Sequence, residues 1–203
     1  MARTVQLFID PVCPFAWITS RWLLSACEVR PGTSARFSLM SLAALNEGRD
    51  LDPGYAEAMV QAWKPARLAL AIQERESQEA FAAFYTAWGT RFHVEDRRDD
   101  AHAVAVEALA EAGLDASLIR AWDDAALDPA IRAEQALVED MVGSEVGTPV
   151  ISFGEGLAYF GPVITPAPRG EDAGRLLDGL EALASVDGFF ELKRARTSAV
   201  DFS

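Results

Sequence analysis

The sequence predicts an α/β fold in which a strand–helix–strand start and a hairpin–helix end are separated by a large all-helical insertion. Three observations predict it. Short apolar runs with strand character occur only toward the two ends, at Thr4 to Ile9, at Ala35 to Ser41 and from Thr148 to Phe160. Between them, from Pro53 to Val142, the apolar spacing is helical for about ninety residues. The length of 203 residues, with 50% hydrophobic and 24% charged, suits a globular chain large enough to carry such an insertion.

Each element follows from local signals. Thr4 to Ile9 reads as a short buried strand. Pro14, an N1-type proline, opens a helix to about Glu28 that is apolar nearly all round, with Arg21, Ser25 and Glu28 as its polar stripe. Arg30-Pro31-Gly32-Thr33 is a turn, and Ala35 to Ser41 alternates as a second strand. A crossover of this length predicts a right-handed parallel pair. Tyr55 to Glu76 reads as one or two helices with Lys64-Pro65 as a kink or boundary. Ser77 caps the next helix, whose Phe81, Phe84, Tyr85 and Trp88 form one aromatic face for the core.

A further helix starts at Asp99 or Asp100 and ends at Ala112-Gly113, and Asp115 to Ala126 and Asp128 to Val142 supply two more. Thr148 to Phe153, the Gly154-Glu155-Gly156 turn and Leu157 to Phe160 make a hairpin, and the closing helix runs to about Val186. In the tail, the segment with Phe189, Phe190 and Leu192 is expected to dock, and the residues from Arg196 to fray.

The chemistry centres on Cys13, placed where the first strand runs out and the first helix opens. Free backbone N–H groups and the helix dipole there favour thiolate, and such cysteines have pKa values of about 3.5 to 7.5. The competing reading is a small buried hydrophobe. Cys27, fourteen residues on, lies roughly 20 Å away along a helix, beyond the reach of about 7 Å that a disulfide allows, and reads as a core residue.

Charge narrows the partners. Eighteen basic against 31 acidic residues give a net charge of −13, which argues against nucleic acid or an anionic membrane surface and for a small molecule. No apolar run approaches the ~20 residues of a membrane span, and Met1-Ala2-Arg3-Thr4 enters the first strand with no signal-peptide pattern, so a cytoplasmic protein is expected. No His, Cys and carboxylate set has zinc spacing and no glycine-rich dinucleotide loop is present, so neither metal nor nucleotide is expected. The insertion offers an apolar surface for a homodimer.

This layout is that of a thioredoxin fold interrupted by helices, with 1–50 and 145–203 forming the thioredoxin-like part and 51–144 the insertion. Cys13-Pro14 and Gly147-Thr148-Pro149-Val150 resemble the DsbA-like family, whose reactive cysteine faces a proline preceded by threonine or a similar residue. More closely, five stretches are similar to the mycothiol-dependent reductases of that family. They are Asp10-Pro11-Val12-Cys13-Pro14-Phe15-Ala16-Trp17, Met40-Ser41-Leu42-Ala43, Leu45-Asn46-Glu47-Gly48, Tyr159-Phe160-Gly161-Pro162-Val163 and Gly188-Phe189-Phe190-Glu191-Leu192-Lys193-Arg194.

The resemblance implies a cis Pro149, with Thr148, Pro149, Phe160 and Gly161 holding mycothiol or a similar low-molecular-weight thiol. It also implies Pro14, Phe15, Trp17, Asn46, Tyr55 and His93 around a small electrophilic or disulfide substrate. From the residues themselves, Phe15 and Trp17 read as an apolar wall or a buried helix face, and Asn46 and Tyr55 as ligand contacts or local capping. His93 reads as a proton carrier or a packed histidine.

One departure shapes the chemistry. The family's second thiol, three residues after the first, is Ala16 here, so release of a mixed disulfide needs an external thiol. The expected activity is a monothiol oxidoreductase. The alternatives are a thiol-cofactor-dependent transferase or isomerase, resembling kappa-class glutathione transferases and 2-hydroxychromene-2-carboxylate isomerases, and a non-catalytic binding protein.

Overall fold

The structure is a computed structural model and describes residues 3–154 and 156–203. Met1 and Ala2, read above as part of the N-terminal pattern, and Glu155, the middle of the expected hairpin turn, lie outside the described residues. β1 (Arg3–Ile9) runs into Cys13, α1 (Pro14–Val29) crosses over, and β2 (Thr33–Leu39) returns parallel to β1 in full register from Arg3↔Thr33 to Ile9↔Leu39. β3 (Val150–Ser152) adds antiparallel to the other side of β1, and β4 (Ala158–Phe160) closes the hairpin, giving the order β2-β1-β3-β4. The final helix, Gly170–Ala184, packs against α1, where the Trp22 indole donates to the Ala173 carbonyl at 3.1 Å.

Between β2 and β3 the chain is helical. α2 (Leu42–Leu45) is capped by Ser41, whose hydroxyl accepts from the Ala44 N–H, and this cap stops β2 two residues before the expected Ser41. α3 (Pro53–Arg75) is one helix with Pro65 inside it, so Lys64-Pro65 is not a boundary. α4 (Gln78–Gly89) starts on the Ser77 cap and buries Phe81, Phe84, Tyr85 and Trp88 in the core.

A single π-helical turn, Thr90–Val94, continues α4, and α5 (Ala101–Glu111) follows. The helix expected over Asp115 to Ala126 is instead two 3₁₀ segments, Ala116–Asp123 and Ala125–Leu127. Asp115 and Asp124 each accept a backbone N–H two residues on, at 2.8 and 3.1 Å, and these side-chain turns reset the backbone before an α-helix can extend. α6 (Asp128–Val142) precedes β3, and α7 is the final helix Gly170–Ala184.

The helices also protect the sheet. On β2, an outer strand, the Phe37 and Leu39 N–H groups donate to the side-chain oxygens of Gln78 (3.2 Å) and Gln73 (2.6 Å). An edge that would template pairing with another chain is thereby satisfied within the molecule. The expected polar stripe on α1 also changes meaning, since Arg21 lies inward, its guanidinium 4.1 Å from the centroid of the Trp17 ring and bonded to Thr86 at 2.9 Å. No helix among the described residues is long and apolar enough to cross a membrane.

The tail meets the expectation in part at its start and departs from it at its end. Phe189 docks, with its carbonyl accepting the Tyr159 hydroxyl at 2.9 Å, but Phe190 and Leu192 are 85% and 80% exposed. The residues expected to fray are held instead, because Asp201 donates its N–H to Thr165 Oγ1 at 2.7 Å and Phe202 packs on the core.

Candidate active site

Cys13 is the N-cap of α1, extended at φ −81 and ψ 115, with Pro14 filling the first helical position. Its N–H donates to the Asp10 carbonyl at 3.1 Å, and its carbonyl takes the first helical bond, from Trp17 at 3.2 Å. The thiol is 5% exposed and donates to the Thr148 carbonyl at 3.5 Å. The Thr148–Pro149 bond is cis, and both residues are buried. Thr148 Oγ1 is buried with no hydrogen-bond partner among the described residues. The hairpin brings two further expected residues beside Pro149: Gly161, at φ +106, donates its N–H to the Pro149 carbonyl at 2.8 Å, and Phe160 pairs with Val150 in register. The Phe160 ring is 46% exposed.

The low-pKa thiolate expected from the helix start is corrected by burial. Desolvation pushes the Cys13 thiol up, and the neighbouring Asp10 charge adds to the rise. Thr148 and the N–H groups of Ala16 and Phe15 pull the other way without reversing it. Sequence reasoning gave Asp10 no role, although it ends the strand that leads into the site. Its carboxylate is fully buried and accepts from the N–H groups of Val12 (2.8 Å) and Leu42 (2.7 Å). Burial pushes it up to about 6 despite those two bonds. The carboxylate therefore ties the cysteine loop to the start of α2.

Asn46 and Tyr55 meet at the same place. Asn46 Nδ2 donates to the Leu42 carbonyl at 2.8 Å and lies 3.5 Å from the Tyr55 hydroxyl. Tyr55 is 42% exposed, and its phenol is pushed up first by desolvation and then by the charges of Asp10 and Cys13, which places it in their field. Pro14 and Phe15 are half-buried beside the thiol.

Trp17 and His93 stand behind the site rather than lining it. Trp17 is 4% exposed, edge-on to Tyr85 at 5.7 Å and stacked with His93 at 6.1 Å. Its indole lies so close to Gly89 that a Cβ there would come within 2.2 Å of the ring, which explains a glycine at the end of α4. The π turn, a rare element that is often found at functional sites, rotates His93 inward. Its Nε2 faces the Pro11 carbonyl at 3.0 Å and therefore carries the hydrogen, because a carbonyl only accepts. The Trp88 indole donates to the same carbonyl at 2.8 Å. Burial lowers the His93 pKa to about 4, so it is a neutral clamp on the cysteine loop and not a proton carrier near neutrality.

Cys13 and Cys27 are both free, and Cys27 is half-buried near the far end of α1 rather than fully in the core. Position 16, the expected place for a second thiol, is a fully buried alanine. The geometry thus offers one thiol, an adjacent backbone carbonyl and a buried carboxylate beneath the same loop. Such a site can form one disulfide with an incoming sulfur and cannot close that disulfide internally.

Comparison with known proteins gives one family, one relative and two similar solved structures. A family model described as Rv2466c-like, mycothiol-dependent nitroreductase Rv2466c, matches residues 12–194. Uncharacterized protein Rv2286c of Mycobacterium tuberculosis (strain ATCC 25618 / H37Rv) is 26% identical over 197 residues, covering 97% of this chain and 84% of that protein. Among solved structures, the probable DsbA oxidoreductase SCO1869 of Streptomyces coelicolor is similar at a TM-score of 0.62 and 18% identity, over 97% of this chain and 95% of that one. The cytosolic disulfide reductase DsbM of Pseudomonas aeruginosa with GSH is similar at a TM-score of 0.57 and 19% identity, over 88% and 99% of the two chains. At such identities the two structures speak for the fold, a thioredoxin fold of DsbA type with a helical insertion.

Proposed function

The chain belongs to the Rv2466c-like family of mycothiol-dependent nitroreductases, and from that premise we propose a monothiol oxidoreductase in which Cys13 is the nucleophile and a low-molecular-weight thiol, mycothiol, restores it. The observation that carries this reading is a lone thiol at the start of α1, against the Thr148 carbonyl, with alanine where a resolving cysteine would stand.

The residues fit a thiol ligand. Thr148 Oγ1 is a buried polar atom that lacks a partner among the described residues, and Phe160, Asn46 and Tyr55 add one apolar and two polar surfaces. Bound mycothiol would supply the second sulfur that this chain lacks. Cys13, once deprotonated, attacks one sulfur of a substrate disulfide, forming a new S–S bond and expelling the other sulfur as thiolate, which takes up a proton. Cys13 is then the leaving group when an external thiolate attacks the substrate sulfur bound to it. A second external thiol completes the exchange, so one substrate disulfide is reduced to two thiols while two thiols are oxidised to one disulfide. The surrounding chain holds the loop that carries Cys13 through the Asp10 and Pro11 bonds, and the thiol is buried within it. The reading places the enzyme in the cytoplasm, where the thiol pool is kept reduced.

One observation favours a second reading, in which the bound thiol is itself the nucleophile in a transferase or isomerase. Burial keeps Cys13 protonated more strongly than a free cysteine. Turnover by Cys13→Ser separates the two. The monothiol mechanism predicts that reduction of a mixed disulfide in the presence of mycothiol is abolished. Substantial retained activity would contradict it and assign the chemistry to the bound thiol.

A further inference from the structure

The C-terminal segment crosses the site on the side of Phe15. Thr165 pins it, accepting from the Asp201 N–H at 2.7 Å, and the Phe202 ring packs 5.9 Å from the His93 ring. Between these anchors and α7, the exposed Arg196 holds its guanidinium 5.0 Å over the ring of Phe15, two residues from Cys13. Among the described residues Arg196 takes part in no ion pair within 4.0 Å, whereas Arg30, Arg67, Arg91 and Arg97 are each held by a carboxylate. Arg196 also lies beyond residue 194, the last that the family model matches.

We propose that Arg196 is a specificity-determining residue of the Cys13 site, selecting substrates that carry a carboxylate on the group bonded to the reacting sulfur. The proposal rests on Cys13 as nucleophile. Held over the Phe15 ring, the guanidinium offers N–H donors in a fork that matches a carboxylate. Phe15 holds the cation beside the mouth, and the tail is anchored at Asp201, five residues on, which limits the freedom to be lost when an anion arrives. The protein as a whole carries −13 and repels anions, so a cation held over Phe15 bears directly on which anions approach the site.

The test compares two aromatic disulfides of similar size, the dicarboxylate 5,5′-dithiobis(2-nitrobenzoate) and the uncharged 4,4′-dithiodipyridine. Each is attacked by the Cys13 thiolate, forms one Cys13–aryl disulfide and releases one aryl thiolate that is followed by absorbance. A Cys27→Ala background leaves Cys13 as the one thiol of the chain. Arg196→Gln should slow the dicarboxylate by about threefold, the size that an exposed ion pair supports, and leave the uncharged reagent unchanged. The difference should shrink in about 0.5 M salt, where the screening length falls to a few Å. An unchanged ratio between the two reagents would overturn the assignment of Arg196 alone. Failure of the parent protein to react with either reagent would instead overturn Cys13 as nucleophile, and the proposal with it.

Discussion

Replacing His93 with glutamine should flatten the acid side of the stability profile, because the imidazole is held neutral in the folded protein. It is 2% exposed, and burial lowers its pKa from 6.5 to about 4, with the nearby Arg98 charge adding to the effect. A base depressed on folding contributes stability that is present above its unfolded pKa and lost as pH falls through the folded value. For His93 that window runs from about 6.5 down to about 4, and linkage gives a loss of ~2 kcal/mol between pH 7 and 5 and ~3 kcal/mol by pH 4.

Asp10 acts in the opposite sense. Its folded pKa of about 6 stands above the ordinary 3.8, so its stabilising share is present below 3.8 and lost as pH rises through 6. Acidification from pH 7 to 5 therefore returns about 1 kcal/mol. Glutamine keeps an N–H to offer the Pro11 carbonyl and does not titrate. Urea unfolding of wild type and His93→Gln at pH 7 and pH 5 isolates the histidine, since Asp10 is common to both. Wild type should lose ~2 kcal/mol more than the variant over that interval. Equal losses in the two proteins would refute a buried neutral His93.

Two further outcomes follow from the same packing. Ala16→Cys restores a thiol one helical turn from Cys13 at a fully buried position, and oxidation should then give an internal disulfide with two fewer alkylatable thiols. A persistent external mixed disulfide on that variant would show that Ala16 is not what denies the site its resolving step. Gly89→Ala forces a methyl within 2.2 Å of the Trp17 indole, and overpacking of this kind costs about 1–3 kcal/mol, read as a lower urea midpoint with little change in slope. An unchanged midpoint would mean that Trp17 is free to move away from α4.

Much of this architecture is legible in the sequence where one strong local signal agrees with burial. Pro14 after Cys13, the Ser77 cap and the Phe81, Phe84, Tyr85 and Trp88 face each specify an element that tertiary packing also favours. The Asp115 and Asp124 turns were less readable, because helical spacing does not reveal that an aspartate will bond its own backbone. The tail misled for a similar reason. Phe190 and Leu192 are apolar yet exposed, while Phe202 finds the His93 ring only once α4 and its π turn are in place.

At the site, proximity of Cys13 to the Thr148–Pro149 segment was legible through the family resemblance, but the protonation state was not. A helix start alone favours thiolate, and only the folded protein shows how far desolvation and the Asp10 charge outweigh it. Trp17 and His93 carried the motif's signal while serving as its support. The sequence marks both as important without showing that they act through Pro11 and Gly89.

The central claim is that Cys13 is half of a redox pair whose other sulfur comes from outside the chain. Intact mass spectrometry after exposure to mycothiol disulfide tests it most directly. The wild-type protein should gain one mycothiol adduct, reversed by excess thiol, and Cys13→Ser should gain none. An unchanged adduct on Cys13→Ser would place the reactive sulfur at Cys27 and contradict the assignment.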